Sequence, residues 1–406
     1  MRPLPAIAVA LLIATAPLAQ AGAAGYVAQT TWGVKGLVAL DKAWLFGRPL
    51  WNEKVEGRDV RVAILDTGID ATHPDLQGTV AAFRDFAGDR QGRFHTDPYD
   101  DVGHGTHIAG IIAGRGHFQG NPLKQYWITG EVGLAPAAKL IVARVASQHL
   151  LPDDATLADA FRWAADPDGD GDPRDGAHVV VFSLGREVPG DPAELPSRVV
   201  GAATEATIHE ITKRGAIVVA PSGNGARGLV QAPCHLDVVV CVGATDREGY
   251  MAHYSSYGRS VDVVAPSVVV SAWPEALGGG YQSLAGTSVA AAVVGGLVAL
   301  MVEANPKLAE MSAQPDRGWK STRLTEVLKA TATKVPNVEN TEGGRAGAGL
   351  VHGYGALAAV DAGGGGLLWW VIALLGAVVA GAAWFSVRPT LRRRAARKAR
   401  KDDDED

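Results

Sequence analysis

The chain has 406 residues, 47% hydrophobic and 20% charged, with a formal net charge of −5, 50 glycines and two cysteines. These values exclude a collagen-like, cysteine-stapled or disordered chain and leave enough apolar residues for one large core or two smaller ones. The acidic balance also excludes nucleic acid as a partner of the main domain.

At the N-terminus, Met1 to Ala21 carries Arg2, an apolar run from Ala6 to Ala16 and the small-residue site Ala19-Gln20-Ala21. This is the pattern of a secretory signal peptide, so residues 1–21 are expected to be removed and the main domain, 22–361, to lie outside the cytoplasm.

Nearly continuous Val/Ile/Leu runs follow at 59–65, 138–145, 177–182, 215–220, 237–244 and 260–265. Strands buried on both faces read this way, which predicts an α/β fold with a mainly parallel central sheet between two layers of helices. Helices are expected at 104–114, 156–165, 198–213, 288–304 and 321–332. Tyr281 to Val302 is uncharged and long enough to span a membrane, but its Ala, Gly and Val content, with no Lys or Arg beside it, reads as a helix buried in the domain.

After a glycine linker at 362–366, Leu367 to Val387 is a second uncharged stretch, with Trp369, Trp370 and Trp384 near its ends. The tail 388–406 holds eight Lys/Arg and five Asp/Glu, a charge of +3, so residues 1–387 carry −8 and the two together give the net −5. An apolar stretch with a basic flank predicts a single transmembrane helix at 367–387 and a charged cytoplasmic tail, with the main domain periplasmic or extracellular. The basic run is a topology signal rather than a DNA-binding patch.

In open α/β sheets, reactive groups gather beyond the carboxyl ends of the strands. Asp66 closes the first run, Ser183 follows the third, and Asn224 follows the fourth in "VVAPSGNG". His104 and His107 stand in "GHGTHIAG", and Ser288 opens an apolar helix in "LAGTSVAAAVVGG". Ser288 reads either as a helix N-cap or as a nucleophile. The histidine pair, three residues apart near Asp66, Asp70 and His73, also has the spacing of a metal site, which would make the chain a metallohydrolase. Acyl transfer instead needs a hydroxyl, an imidazole, a carboxylate and oxyanion donors, and all four residue types are present.

"AILDTGIDATHPDL", "GHGTHIAG", "VVAPSGNG" and "LAGTSVAAAVVGG" resemble, in that order, the Asp, His, oxyanion-Asn and Ser motifs of the subtilisin-like serine proteases, the subtilase family. The resemblance covers roughly residues 30 to 361, ending in "GAGLVHGYGALAAV". It implies a subtilisin-like three-layer fold and a serine endopeptidase with Asp66, His104 and Ser288 as the triad and Asn224 in the oxyanion hole. Carried over residue by residue, Ser183, Leu184 and Gly185 would pair with a polypeptide substrate, and Gly185 and Gly223 would border the main specificity pocket.

Two departures stand on the Ser288 helix: Val289 in place of the family's usual Met, and Ala291-Ala292-Val293 in place of a Ser-Pro-His run. They bear on pocket shape and packing rather than on the reacting groups, and leave as the rival class a catalytically silent peptide-binding ectodomain. The 44 residues between Gly22 and Asp66 leave no room for a folded propeptide, which together with the C-terminal span resembles the mycosins of type VII secretion. Gly363 to Gly366 before the span, with arginines after it, also resembles C-terminal sorting tails, so a secretion or sorting machinery is an expected partner.

The chemistry requires no cofactor and no catalytic metal. "DPDGDGDPRD" nonetheless matches the first half of a Ca²⁺ loop, with Asp166, Asp168 and Asp170 as ligands and Gly171 at the turn, although Ala177 stands where the closing Glu belongs. Cys234 and Cys241, the only cysteines of an exported chain, are expected to form a disulfide.

Overall fold

The computed structural model describes residues 55–89, 92–118, 128–147, 152–172, 174–184, 200–226, 228–309, 323–336, 338 and 344–361. The expected signal peptide, glycine linker, transmembrane helix and cytoplasmic tail lie outside the described residues, as does Gly185.

The described chain runs through β1 (Arg61–Asp66), β2 (Val80–Asp85), α1 (His104–Ala113), β3 (Arg115–Phe118), β4 (Ile128–Val132), β5 (Lys139–Arg144), α2 (Asp154–Ala165) and β6 (Val179–Phe182). It continues through α3 (Ala202–Lys213), β7 (Ile217–Pro221), β8 (Val239–Thr245), β9 (Val263–Pro266), β10 (Val268–Ala272), β11 (Tyr281–Ala285), α4 (Thr287–Ala304), α5 (Arg323–Thr331) and α6 (Gly353–Asp361). Seven strands form one sheet in the order β2-β5-β1-β6-β7-β8-β9. Every pairing in it is parallel. Two antiparallel pairs, β3 with β4 and β10 with β11, stand beside it.

Alternation along the strands divides the core into two faces. Val62, Ile64, Ile217 and Val219 pack with residues of α1 and α4, whereas Ala63, Leu65, Val218 and Ala220 pack with Leu157 and Phe161 of α2 and Ile208 and Ile211 of α3. The central sheet is thus covered on both sides, the three-layer arrangement expected from the apolar runs.

β2 escaped the sequence reading because it is an edge strand, where only Asp85 is fully buried and the other positions are partly or fully exposed. It therefore lacks the continuous apolar signal of the central strands.

The uncharged run Tyr281–Val302 is two elements. Its first residues form β11 against β10, Gly286 ends the strand, and α4 begins at Thr287. Among the described residues α4 is the one helix long and apolar enough to cross a membrane, and 83% of it is buried inside the protein. Val289 to Val302 are all buried, which leaves the helix no solvent face. A Cβ on Gly295 would sit 2.4 Å from Val181 Cγ2 of β6, so glycine is what lets the helix lie this close to the sheet. The unusual Val289, Ala291, Ala292 and Val293 are all within this core. Replacing the fully buried Leu297 with Ala would cost about 2–5 kcal/mol.

Cys234 and Cys241 are bonded, with S–S 2.09 Å and Cα–Cα 5.0 Å. The bridge fastens the loop after β7 to β8.

Candidate active site

Asp66 is the last residue of β1 and is fully buried. Its Oδ1 accepts a hydrogen bond from the Thr67 N–H at 2.7 Å and another from His104 Nδ1 at 2.8 Å, with Oδ2 at 3.0 Å from the same nitrogen. A carboxylate can only accept here, so Nδ1 carries the proton and Nε2 is left to accept the Ser288 hydroxyl, 3.0 Å away. Burial works to lower the His104 pKa, but the Asp66 charge, the Asp66 hydrogen bond and the Asp100 charge outweigh it and raise the pKa above the ordinary imidazole value.

His104 is the first residue of α1, and the strand-to-helix approach that brings it to Asp66 depends on glycine. Gly68 has φ +116°, and a Cβ there would lie 1.8 Å from the Tyr99 carbonyl oxygen. A Cβ on Gly105 would lie 2.2 Å from the Gly68 carbonyl oxygen. Any side chain at either position would push the helix off the strand end.

Ser288 sits in the first turn of α4, and the helix is capped by Gly286 without a side-chain hydrogen bond. The N-cap reading of Ser288 is therefore overturned: its hydroxyl turns away from the helix terminus to His104. A first-turn position also leaves its backbone N–H without an intrahelical acceptor and at the positive end of the helix dipole.

Asn224 follows β7. Its side-chain oxygen accepts from both the N–H and the hydroxyl of Thr287, each at 2.9 Å. The amide nitrogen takes no part in those two bonds and borders the same space as the nucleophile: a Cβ on Gly286 would lie 3.5 Å from Asn224 Nδ2, 3.8 Å from its Oδ1 and 3.2 Å from Ser288 Oγ. The two polar atoms flank one small space that Gly286 keeps open.

A buried carboxylate, an oriented imidazole, a hydroxyl on its second nitrogen and an amide donor beside that hydroxyl now stand together, and known proteins carry the same chain pattern. The Subtilase family profile matches residues 57–355. The chain belongs to the subtilase family. It is 34% identical over 285 residues to Subtilisin Savinase of Lederbergia lenta, covering 70% of this chain and 87% of that protein. It is also 34% identical over 287 residues to M-protease of Shouchella clausii, of whose length it spans 62%. Among solved structures, proteases from Pseudoalteromonas arctica match with a TM-score of 0.58 at 25% identity, covering 75% of this chain and 91% of that one.

The remaining expected site residues of this subtilase are placed as follows. Ser183 and Leu184 leave the end of β6, both buried, and the Ser183 hydroxyl is buried without a hydrogen-bond partner. Gly223 is buried, its N–H donates to the Thr287 hydroxyl at 3.2 Å, and its carbonyl accepts from the Ser256 N–H at 2.8 Å.

His104 and His107 share a helix but not a site. His107 Nε2 lies 3.1 Å and 3.0 Å from the Val269 and Gln282 carbonyl oxygens, to which it donates, tying α1 to the β10–β11 arm. Burial, and secondarily the neighbouring His104, holds its pKa at about 3. A metal bridging the two imidazoles is not what these contacts build, and the metallohydrolase reading falls.

Among the described residues the group suited to a metal is in the loop 166–175. Ligand atoms of Asp166, Asp168, Asp170 and Asp175 lie within 4.8 Å of one another. Asp166 also accepts from the Gly169 and Gly171 N–H groups at 2.9 and 3.0 Å, which curls the loop around the carboxylates. Asp175, not Ala177, supplies the fourth acidic group. The hard oxygen donors suit Ca²⁺ rather than a transition metal.

Three residues that position the site were given no role of their own from sequence: Thr67, Asp100 and Thr287. Thr67 donates its hydroxyl to Asp100 at 2.9 Å and accepts from the Gly105 N–H at 2.9 Å. The signals were present as a hydroxyl after Asp66, an acid four residues before His104, and a hydroxyl before Ser288. Each is a common residue type whose role depends on a contact across the fold.

Proposed function

We propose that this subtilase is a membrane-tethered serine endopeptidase. The observation that carries the reading is the unbroken line Asp66–His104–Ser288, with hydrogen bonds of 2.8 and 3.0 Å, ending beside the Asn224 amide. Ser288 Oγ attacks the peptide carbonyl as His104 Nε2 takes its proton. The oxyanion that forms is met by the Asn224 amide and the Ser288 backbone N–H. His104 then returns the proton to the leaving amine, and the acyl-enzyme is hydrolysed by water through the same steps in reverse. Asp66 holds the reactive tautomer and stabilises the imidazolium.

The polypeptide substrate would pair as an added strand along Ser183, Leu184 and Gly185, with Gly223 at the pocket. Peptide hydrolysis needs no cofactor, and Ca²⁺ at Asp166, Asp168, Asp170 and Asp175 would be structural, closing an acidic loop far in sequence from the triad. The span 367–387 and its basic flank support a cell-membrane location with the catalytic domain outside and the C-terminus in the cytoplasm, where a secretion or sorting machinery is the expected partner.

Cleavage of a protein substrate by membranes bearing the full chain, absent with Ser288→Ala, tests the activity. Retention in the pellet after alkaline extraction, lost when the chain is cut before Leu367, tests the tether. A folded protein that binds peptides without cleaving them would instead be a binding ectodomain.

A further inference from the structure

We propose that Asp100 is a positioning residue for His104: a second buried carboxylate that fixes the helix end carrying the imidazole and stabilises its charged form during turnover. The inference rests on the reading of His104 as general base.

Asp100 is 4% exposed and accepts five hydrogen bonds. Its Oδ1 takes the Val102 and Gly103 N–H groups at 3.0 and 2.8 Å and the Thr67 hydroxyl at 2.9 Å. Its Oδ2 takes the N–H and hydroxyl of Thr106 at 2.9 and 2.7 Å. The N-cap of α1 is Gly103, which has no side chain to cap the helix, so Asp100 meets the orphan N–H groups instead. The bonds straddle His104 in sequence, and the one to Thr67 continues through the Thr67 N–H to Asp66 itself. One carboxylate therefore locks the base and its orienting partner into a single frame.

The second effect is electrostatic. The charged or titratable groups facing His104 are Asp66 from β1, Asp100 from the preceding loop and, one turn along α1, His107, which stays neutral. The β10–β11 arm brings Trp273 against Gly103, and α4 brings the Ser288 hydroxyl. Asp100 thus supplies one of the two negative charges that act on the imidazole among the described residues; the buried Arg144 guanidinium nearby, whose stem packs at Gly68, is paired with Asp85 and Asp101, and the Asp66 and Asp100 charges favour the imidazolium that forms when Ser288 gives up its proton. Neither the helix end nor the acid makes a ligand site, since every oxygen is already used by the protein.

The test is Asp100→Asn in the full chain, read by the pH dependence of kcat/KM on a chromogenic peptide. Removing the charge while keeping the shape should move the acid limb to lower pH and lower kcat by roughly tenfold or more through loss of alignment. A folded Asp100→Asn protein with the wild-type acid limb overturns the proposal, because a purely structural cap would not move that limb. Imidazole titration by NMR in a Ser288→Ala background gives the same shift without needing turnover. An inert wild type would therefore defeat the protease reading while leaving Asp100 testable. If Asp100→Asn fails to fold, Thr67→Val decides: it leaves the charge but cuts the tie, so kcat should fall with the acid limb unmoved, and an unchanged kcat overturns the proposal.

Discussion

Thr287 holds Asn224 by its side-chain oxygen through two hydrogen bonds of 2.9 Å, which leaves the amide nitrogen, at the Gly286 space that Ser288 Oγ also borders, out of that pairing. Asn224→Ala should lower kcat on the order of 100- to 1000-fold, a magnitude that comes from the equivalent donor in subtilisin of this same family. KM should change by less than about threefold, because the donor acts on the transition state rather than the bound substrate. Steady-state kinetics with a melting curve decide it: a destabilised mutant with normal kcat would make Asn224 a turn residue only.

The acid limb of activity should lie above pH 6.5, the ordinary imidazole value. His104 works as a base only when neutral, and its pKa is raised by Asp66 and Asp100 against the opposing effect of burial. Activity therefore falls as pH drops through that raised pKa. A kcat/KM profile with its lower inflection below 6.5 would contradict the electrostatics described for this site.

Much of this was legible in the chain. Fully buried parallel strands leave an unbroken apolar signature, and the groups at their carboxyl ends, Asp66, Ser183 and Asn224, could be picked out by position alone. The α4 run was read as a core helix from its small residues, and the structure buries it. Edge and arm elements were not legible: β2 is mostly exposed, and the short local pair β10–β11 is anchored to the domain by His107, through contacts that span more than 150 residues. Ser288 could not be separated from a helix cap by its own neighbours, because the deciding contact is with His104, 184 positions away. Thr67, Asp100 and Thr287 were missed for the same reason.

Acid should destabilise the domain before its carboxylates titrate. His107 is held at about 3 by burial and His104, and His178 at about 4 by burial and the Arg61 charge. Both folded values lie below the unfolded value, so from pH 6.5 downward the unfolded chain binds more protons and stability falls with pH. His104, with its raised value, acts in a different window: its contribution grows as pH falls toward 6.5 and is complete below it, so it does not offset the loss at lower pH. Melting of the Ser288→Ala protein from pH 7 to 5 should show a falling Tm, less steep in His178→Gln. A flat curve would mean that neither imidazole is kept neutral by the fold.

Calcium should raise the melting temperature. A ligand at about 100 times its Kd stabilises the folded state by about 2.7 kcal/mol. Chelation should remove the gain without changing the triad, and Asp168→Asn with Asp170→Asn should abolish the response. Equal Tm in calcium and in chelator would leave the loop 166–175 as a solvated turn.

The most direct measurement of the central claim is covalent labelling by a fluorophosphonate, located by mass spectrometry. An activated hydroxyl predicts one adduct per folded chain, on Ser288, with labelling lost in Ser288→Ala and strongly slowed in His104→Ala, since the attacking oxygen depends on that imidazole. Folded wild-type protein that takes up no label, or that labels equally well without Ser288, would contradict the account.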